Sequence, residues 1–177
     1  MKIIVIGVGL LLAGAFPQHE HQAAGTAKGL AIPSAVTAEH HHLMAALEEA
    51  VTVPGAVGQA AEGVKRVLQP HFASEEEYAL PPLAALAPLA AGKPSPDDKA
   101  TMEKAKWLKD NMPRMMAEHK TIVEALDKLE AAARAENKPA QVEFVEMLKQ
   151  HATFEEQIMY PAAILVGEYL QAAHARH

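Results

Sequence analysis

One arrangement of side chains occurs twice in this chain. Glu39-His40 is followed by His71, Glu75 and Pro81; Glu118-His119 is followed by His151, Glu155 and Pro161. The copies are offset by 79 residues at the Glu-His pair (39 to 118, 40 to 119) and by 80 thereafter (71 to 151, 75 to 155, 81 to 161). His71 and Glu75 stand four apart, as do His151 and Glu155, which on a helix puts imidazole and carboxylate on one face, one turn apart. Each such pair is a two-armed ligand on a rigid element. Two more histidines, His40 and His119, complete a set of six side chains from four helices. Nitrogen and oxygen donors in that number are the ligand set of a two-metal site.

The rest of the chain is read as helical. Pro33-Ser34 opens a first helix with Ser34 as its N-cap, and His40, Leu43, Met44 and Leu47 follow at helical spacing up to Pro54-Gly55. A second helix is expected from about Ala56 to Leu80, with Pro70 kinking it beside His71. Residues 81–96 form a connection with a short helical piece between Leu83 and Leu89. Ser95-Pro96-Asp97-Asp98 reads as a cap, a first-turn proline and first-turn acids, starting a third helix that runs to about Ala135 with Pro113 as a second internal kink. Asn137-Lys138-Pro139 is a turn, and a fourth helix runs from Ala140 to about Ala173 with a bend or break at Pro161. The fold class implied is all-α: an antiparallel four-helix bundle over 34–177, built from a pseudo-repeated pair of helical hairpins.

Composition narrows the function. The net charge of −6, with no Lys/Arg cluster, argues against nucleic acid as a partner. The absence of cysteine excludes disulfides, iron–sulfur ligation, thiolate zinc and cysteine nucleophiles. Met1-Lys2, the apolar run from Ile3 to Ala13 and the Ala13-Gly14-Ala15 end describe a secretory signal peptide over 1–15, the alternative being an uncleaved anchor or an apolar strand. Residues 16–33 read as a flexible tether. A periplasmic or secreted protein is expected, meeting a membrane only through the signal peptide before cleavage.

Within the duplicated pattern, His40 shares a face with Leu43 and Leu47 and so points inward; His41 and His42 are rotated about 100° and 200° away, with His41 the alternative ligand. Glu75 and Glu155 can bridge two cations about 3.5–4 Å apart. Six-coordinate ions would then keep positions for an oxo or hydroxo bridge and an outside ligand. Glu76, Glu77 and Glu156 read as a solvated face. Phe72, Tyr78, Trp107, Met115, Phe154 and Tyr160 read as core packing, with a tyrosine hydroxyl or Met115 near the site as the functional alternative. His19, His21, His174 and His177 read as solvated. A single His-x-x-x-Glu is most often a surface ion pair. Two at matching offsets, each with its own inward histidine and trailing proline, are not explained that way, because burying four imidazoles and two carboxylates without a cation is costly.

With these residues in view, the chain over about 34–170 resembles the hemerythrin family in its bacterial HHE form. His71-Phe72-x-x-Glu75-Glu76 and His151-x-x-Phe154-Glu155-Glu156 carry the resemblance. It implies a four-helix bundle with two non-heme iron ions. His40, His71, His119 and His151 would be terminal ligands and Glu75 and Glu155 bridges. Oxygen-carrying members have a further histidine one turn before the third-helix ligand; here that position is Met115, which weighs against reversible oxygen carriage. The four-histidine, two-glutamate set is closer to relatives linked to nitric oxide response and iron–sulfur repair. The function expected is binding or sensing of a small diatomic, O2 or NO, in the bacterial cell envelope. The alternatives are a di-iron enzyme acting on peroxide or ferrous iron, and a redox-inert bundle holding zinc or manganese.

Overall fold

A computed structural model describes residues 30–176. The expected signal peptide, residues 16–29 of the expected tether, and His19, His21 and His177 lie outside the described residues. All regular structure among the described residues is helical. It comprises α1 (Ser34–Val51), α2 (Ala56–Ser74), α3 (Leu86–Ala90), α4 (Asp98–Ala135), α5 (Pro139–Phe154) and α6 (Tyr160–His174). A π turn, Glu75–Ala79, ends α2, and a second, Glu155–Met159, joins α5 to α6; a 3-10 turn, Pro81–Ala85, leads into α3. No described helix is long and apolar enough to cross a membrane.

The neighbours form a closed ring: α1 packs on α2, α2 on α4, α4 on α5, and α5 back on α1, while α6 packs on α4. Two large apolar clusters fill the interior, with a smaller third of Ala85, Val166 and Leu170. One joins Leu43 and Leu47, Val64 and Leu68, Ile122, Leu126 and Leu129, and Phe144 and Leu148. The other joins Val36, Leu80, Leu83, Leu108, Met115, Tyr160 and Ala163. Burying a residue such as Leu or Phe contributes about 1.5–3 kcal/mol, so these clusters fix the helices on either side of whatever lies between them. What lies between is polar. On α1, His40 falls between Val36 and Leu43; on α4, His119 falls between Met115 and Ile122. At Gly167 an added Cβ would stand 2.3 Å from the Cβ of Ala105, so α6 lies close against α4 there.

Two capping expectations are corrected. Ser34 is not a cap: the helix starts a residue earlier than that reading, the N-cap is Pro33 without a side-chain bond, and its carbonyl accepts from Val36 N–H at 2.9 Å. Nor is Ser95 the cap of α4. Asp97 is, accepting from Ala100 N–H at 3.0 Å, while the Ser95 hydroxyl donates to Asp98. Pro70 and Pro113 both lie inside continuous helices, and the bend or break expected at Pro161 takes the form of a π turn completed just before it. In each π turn the backbone closes five residues back: Leu80 N–H donates to Glu75 O at 2.9 Å, and Tyr160 N–H donates to Glu155 O.

Candidate metal centre

All six residues singled out by the repeat come together. His40, His71, Glu75, His119, His151 and Glu155 are each at most 4% exposed, contributed by α1, α2, the first π turn, α4, α5 and the second π turn. Their Nε2 atoms face inward onto the two carboxylates. Oε1 of Glu75 lies 3.5 Å from His71 Nε2, and Oε2 lies 3.8 Å from His40 Nε2. Glu155 mirrors this, with Oε2 at 3.4 Å from His119 Nε2 and Oε1 at 2.9 Å from His151 Nε2 and 3.5 Å from His40 Nε2. Each carboxylate thus spans two positions, one near His71 and His119, the other near His40 and His151. Donor atoms of His71, Glu75, His119 and Glu155 lie within 4.8 Å of one another, as do those of His40, His151 and Glu155. Both groups could hold a metal ion.

A cation fits this donor set. His71 Nε2, Glu75 Oε2 and both ring nitrogens of His151 are buried without a well-directed hydrogen bond among the described residues. Buried nitrogen and oxygen donors of this kind are costly unless paired, and imidazole with carboxylate suits first-row divalent and trivalent ions. His41 and His42 are exposed, so His41 does not take the place of His40.

The outer nitrogens show a pattern that the sequence reading missed. His40 Nδ1 is bonded to Glu76 at 2.9 Å, His71 Nδ1 to Glu118 at 2.8 Å, and His119 Nδ1 to Glu156 at 2.8 Å. His151 Nδ1 lies 3.1 Å from Glu39 at a poorer angle. Each imidazole therefore has its own glutamate, and the pairs obey the same repeat: 76 with 40 and 156 with 119, 118 with 71 and 39 with 151. Glu76 and Glu156 are not the solvated face expected of them. They are about one-third exposed, with one oxygen turned inward. Glu118 is also held by Arg114 Nε at 3.2 Å. The signal was present in the duplicated Glu-His and Glu-Glu dipeptides; it lacked a partner until the helices were placed.

Charge is distributed unevenly across the two central acids. Burial pushes Glu75 well above the usual carboxylate range, and the neighbouring Glu155 charge adds to that. For Glu155, burial is outweighed by the close approach of His119, His151 and His40, which holds it well below that range. Burial lowers His71. In His119 and His151 it is outweighed by Glu155, aided by Glu156 and Glu39 respectively, and both are raised. A phenol joins the group: the Tyr160 hydroxyl donates to Oε1 of Glu75 and lies 3.3 Å from His119 Nε2, and burial holds it in the neutral form.

The other aromatic expectations divide. Phe72 is buried and stacks on His40, but Phe154 is half exposed, and Tyr78 lies at the surface stacked on the half-buried Trp107. Met115 packs in the apolar cluster beside Tyr160, as expected of a packing residue. His174 is exposed and pairs with Asp98 at 2.7 Å. Pro70 is exposed and lines a groove of about 380 Å³ between α2 and α4, with Arg66, His71, Arg114 and Glu118.

No curated protein and no solved structure matches the chain. Residues 111–177, which hold His119, His151 and Glu155, match the Hemerythrin HHE cation binding domain, the family the sequence resembles.

Proposed function

We propose that this chain is a non-heme di-iron protein that binds or senses O2 or NO in the cell envelope, after export. Its helices would form an antiparallel four-helix bundle of two related hairpins, a reading supported by the closed ring of contacts among α1, α2, α4 and α5. The observation that carries the function is the pair of buried carboxylates, each facing two imidazoles across the interior. In this reading His71 and His119 would hold one iron and His40 and His151 the other, with Glu75 and Glu155 as carboxylate ligands shared between them. Two irons so held would supply redox change and open coordination positions for a small ligand. The protein's own part is to exclude bulk water with the two apolar clusters and to admit small molecules beside His71 through the α2–α4 groove.

The test is elemental analysis of protein purified without added metal, followed by visible spectra of the reduced form. About two irons per chain and a spectral change under O2 or NO are the expected outcome. Two zincs, or no response to either gas, would refute it. A second reading, turnover of peroxide or ferrous iron, is favoured by Met115 in place of a further histidine and by the Tyr160 hydroxyl at the site. Catalytic peroxide loss or iron oxidation that disappears in His151→Ala would select it.

A further inference from the structure

The six inward residues obey the repeat, but the rings that cover them do not. His40 is covered by Phe72, stacked at 3.9 Å between centroids with 1° between planes. Its counterpart His119 is covered by Tyr160, at 5.7 Å and 18°. These rings come from different places in the repeat. The counterpart of Phe72 is Ala152 (72 to 152), and the counterpart of Tyr160 is Leu80 (80 to 160). All four are buried. One aromatic ring sits on each histidine, but only one of the two rings carries a hydroxyl.

The two interior positions are therefore chemically unlike. The position between His71 and His119 faces a phenol that already holds Oε1 of Glu75. The position between His40 and His151 meets the ring of Phe72, which stacks on one imidazole and stands edge-on to the other at 5.6 Å. The donor groups also differ: four residues converge at the first position and three at the second.

We propose that the two cation positions are unequal by construction, that the His71–His119 position fills first, and that the Tyr160 hydroxyl sets the difference. This rests on the two-cation reading given above. The hydroxyl acts in two ways. By donating to Glu75 it fixes the carboxylate before a cation arrives, so less freedom is lost on binding. It also adds an oxygen at the position where hard cations favour oxygen. Phe72 does neither and only excludes water. The competing view makes Tyr160 a packing residue whose hydroxyl is merely satisfied by Glu75. In that case its loss would weaken both positions alike.

Titration of the metal-free full-length chain with Co(II) under anaerobic conditions, by calorimetry and visible absorption, separates these views. The wild type should take two cations in two steps, about 10–100-fold apart in affinity, the range that loss of an outer-shell partner covers. Tyr160→Phe should weaken the first step far more than the second, because the hydroxyl holds the Glu75 oxygen that faces His71, bringing the two within about threefold. Two equal steps in the wild type, or equal weakening of both in Tyr160→Phe, would overturn the asymmetry while leaving the two-cation reading standing. One cation or none in the wild type would overturn that reading itself. The wild-type titration decides the first point even if the variant folds poorly.

Discussion

At the scale of single residues, the outer glutamates are as informative as the inward donors. A metal-facing imidazole is held in one tautomer by what its other nitrogen touches, and such partners typically matter about 10–100-fold in metal affinity. Glu76→Ala and Glu156→Ala should each weaken metal binding by about that factor. The metal-free protein should lose about 1 kcal/mol or less, because both side chains are about one-third exposed. Competition against a chelator measures the first effect and thermal unfolding the second; unchanged affinity would reduce these bonds to incidental surface contacts. The inward six were legible in the sequence because their spacing and duplication speak directly of one helix face. The glutamates were not, because each acts on a different helix. Glu76 lies about 100° round from Glu75 and its partner His40 is 36 residues away, so only packing reveals what it grips.

At the scale of elements, the π turns decide what reaches the interior. In an α-helix the residue five places after Glu155 would be rotated about 140° from it. A turn closed by an i to i−5 bond holds one residue more, and so brings Tyr160 round to the face of Glu155, and Leu80 round to that of Glu75. Pro81 and Pro161 follow directly, and with no N–H to donate they cost the helix little where its bonding has already changed. Nothing in residue type announces a π turn, so the sequence left a tyrosine hydroxyl near the site only as the alternative to packing, and the turn decides for it at Tyr160. The start of α4 offers a plainer test. Asp97→Ala should cost about 0.5–2 kcal/mol by removing the cap of Ala100 N–H, and Ser95→Ala distinctly less. Denaturant midpoints of the two variants check this, and the reverse order would restore Ser95 as the cap.

At the scale of the whole molecule, metal and proton compete for the same nitrogens. In the metal-free protein His119 and His151 are raised, their burial outweighed by Glu155, so their pairing stabilises the fold fully below the unfolded imidazole value of about 6.5. That contribution is lost as pH rises through the higher folded values. Cation binding needs these nitrogens bare and weakens as pH falls. Both trends have one sign, and His71, lowered by burial, does not oppose them. The gain in Tm on metal loading should therefore be larger near pH 8 than near pH 6; equal gains at the two would contradict it. Helix order and the meeting of the six donors were readable from the duplication. The ring of contacts was not, since it depends on which apolar faces meet.

The crossing of the bonds between the two halves of the chain has its own consequence. Glu118 of the second half holds His71 of the first, and Glu39 of the first reaches His151 of the second. Neither half encloses a finished centre. A chain severed between Ala90 and Asp98 would lose no donor at all, and a cation held among them would then rivet together two pieces that no peptide bond still joined.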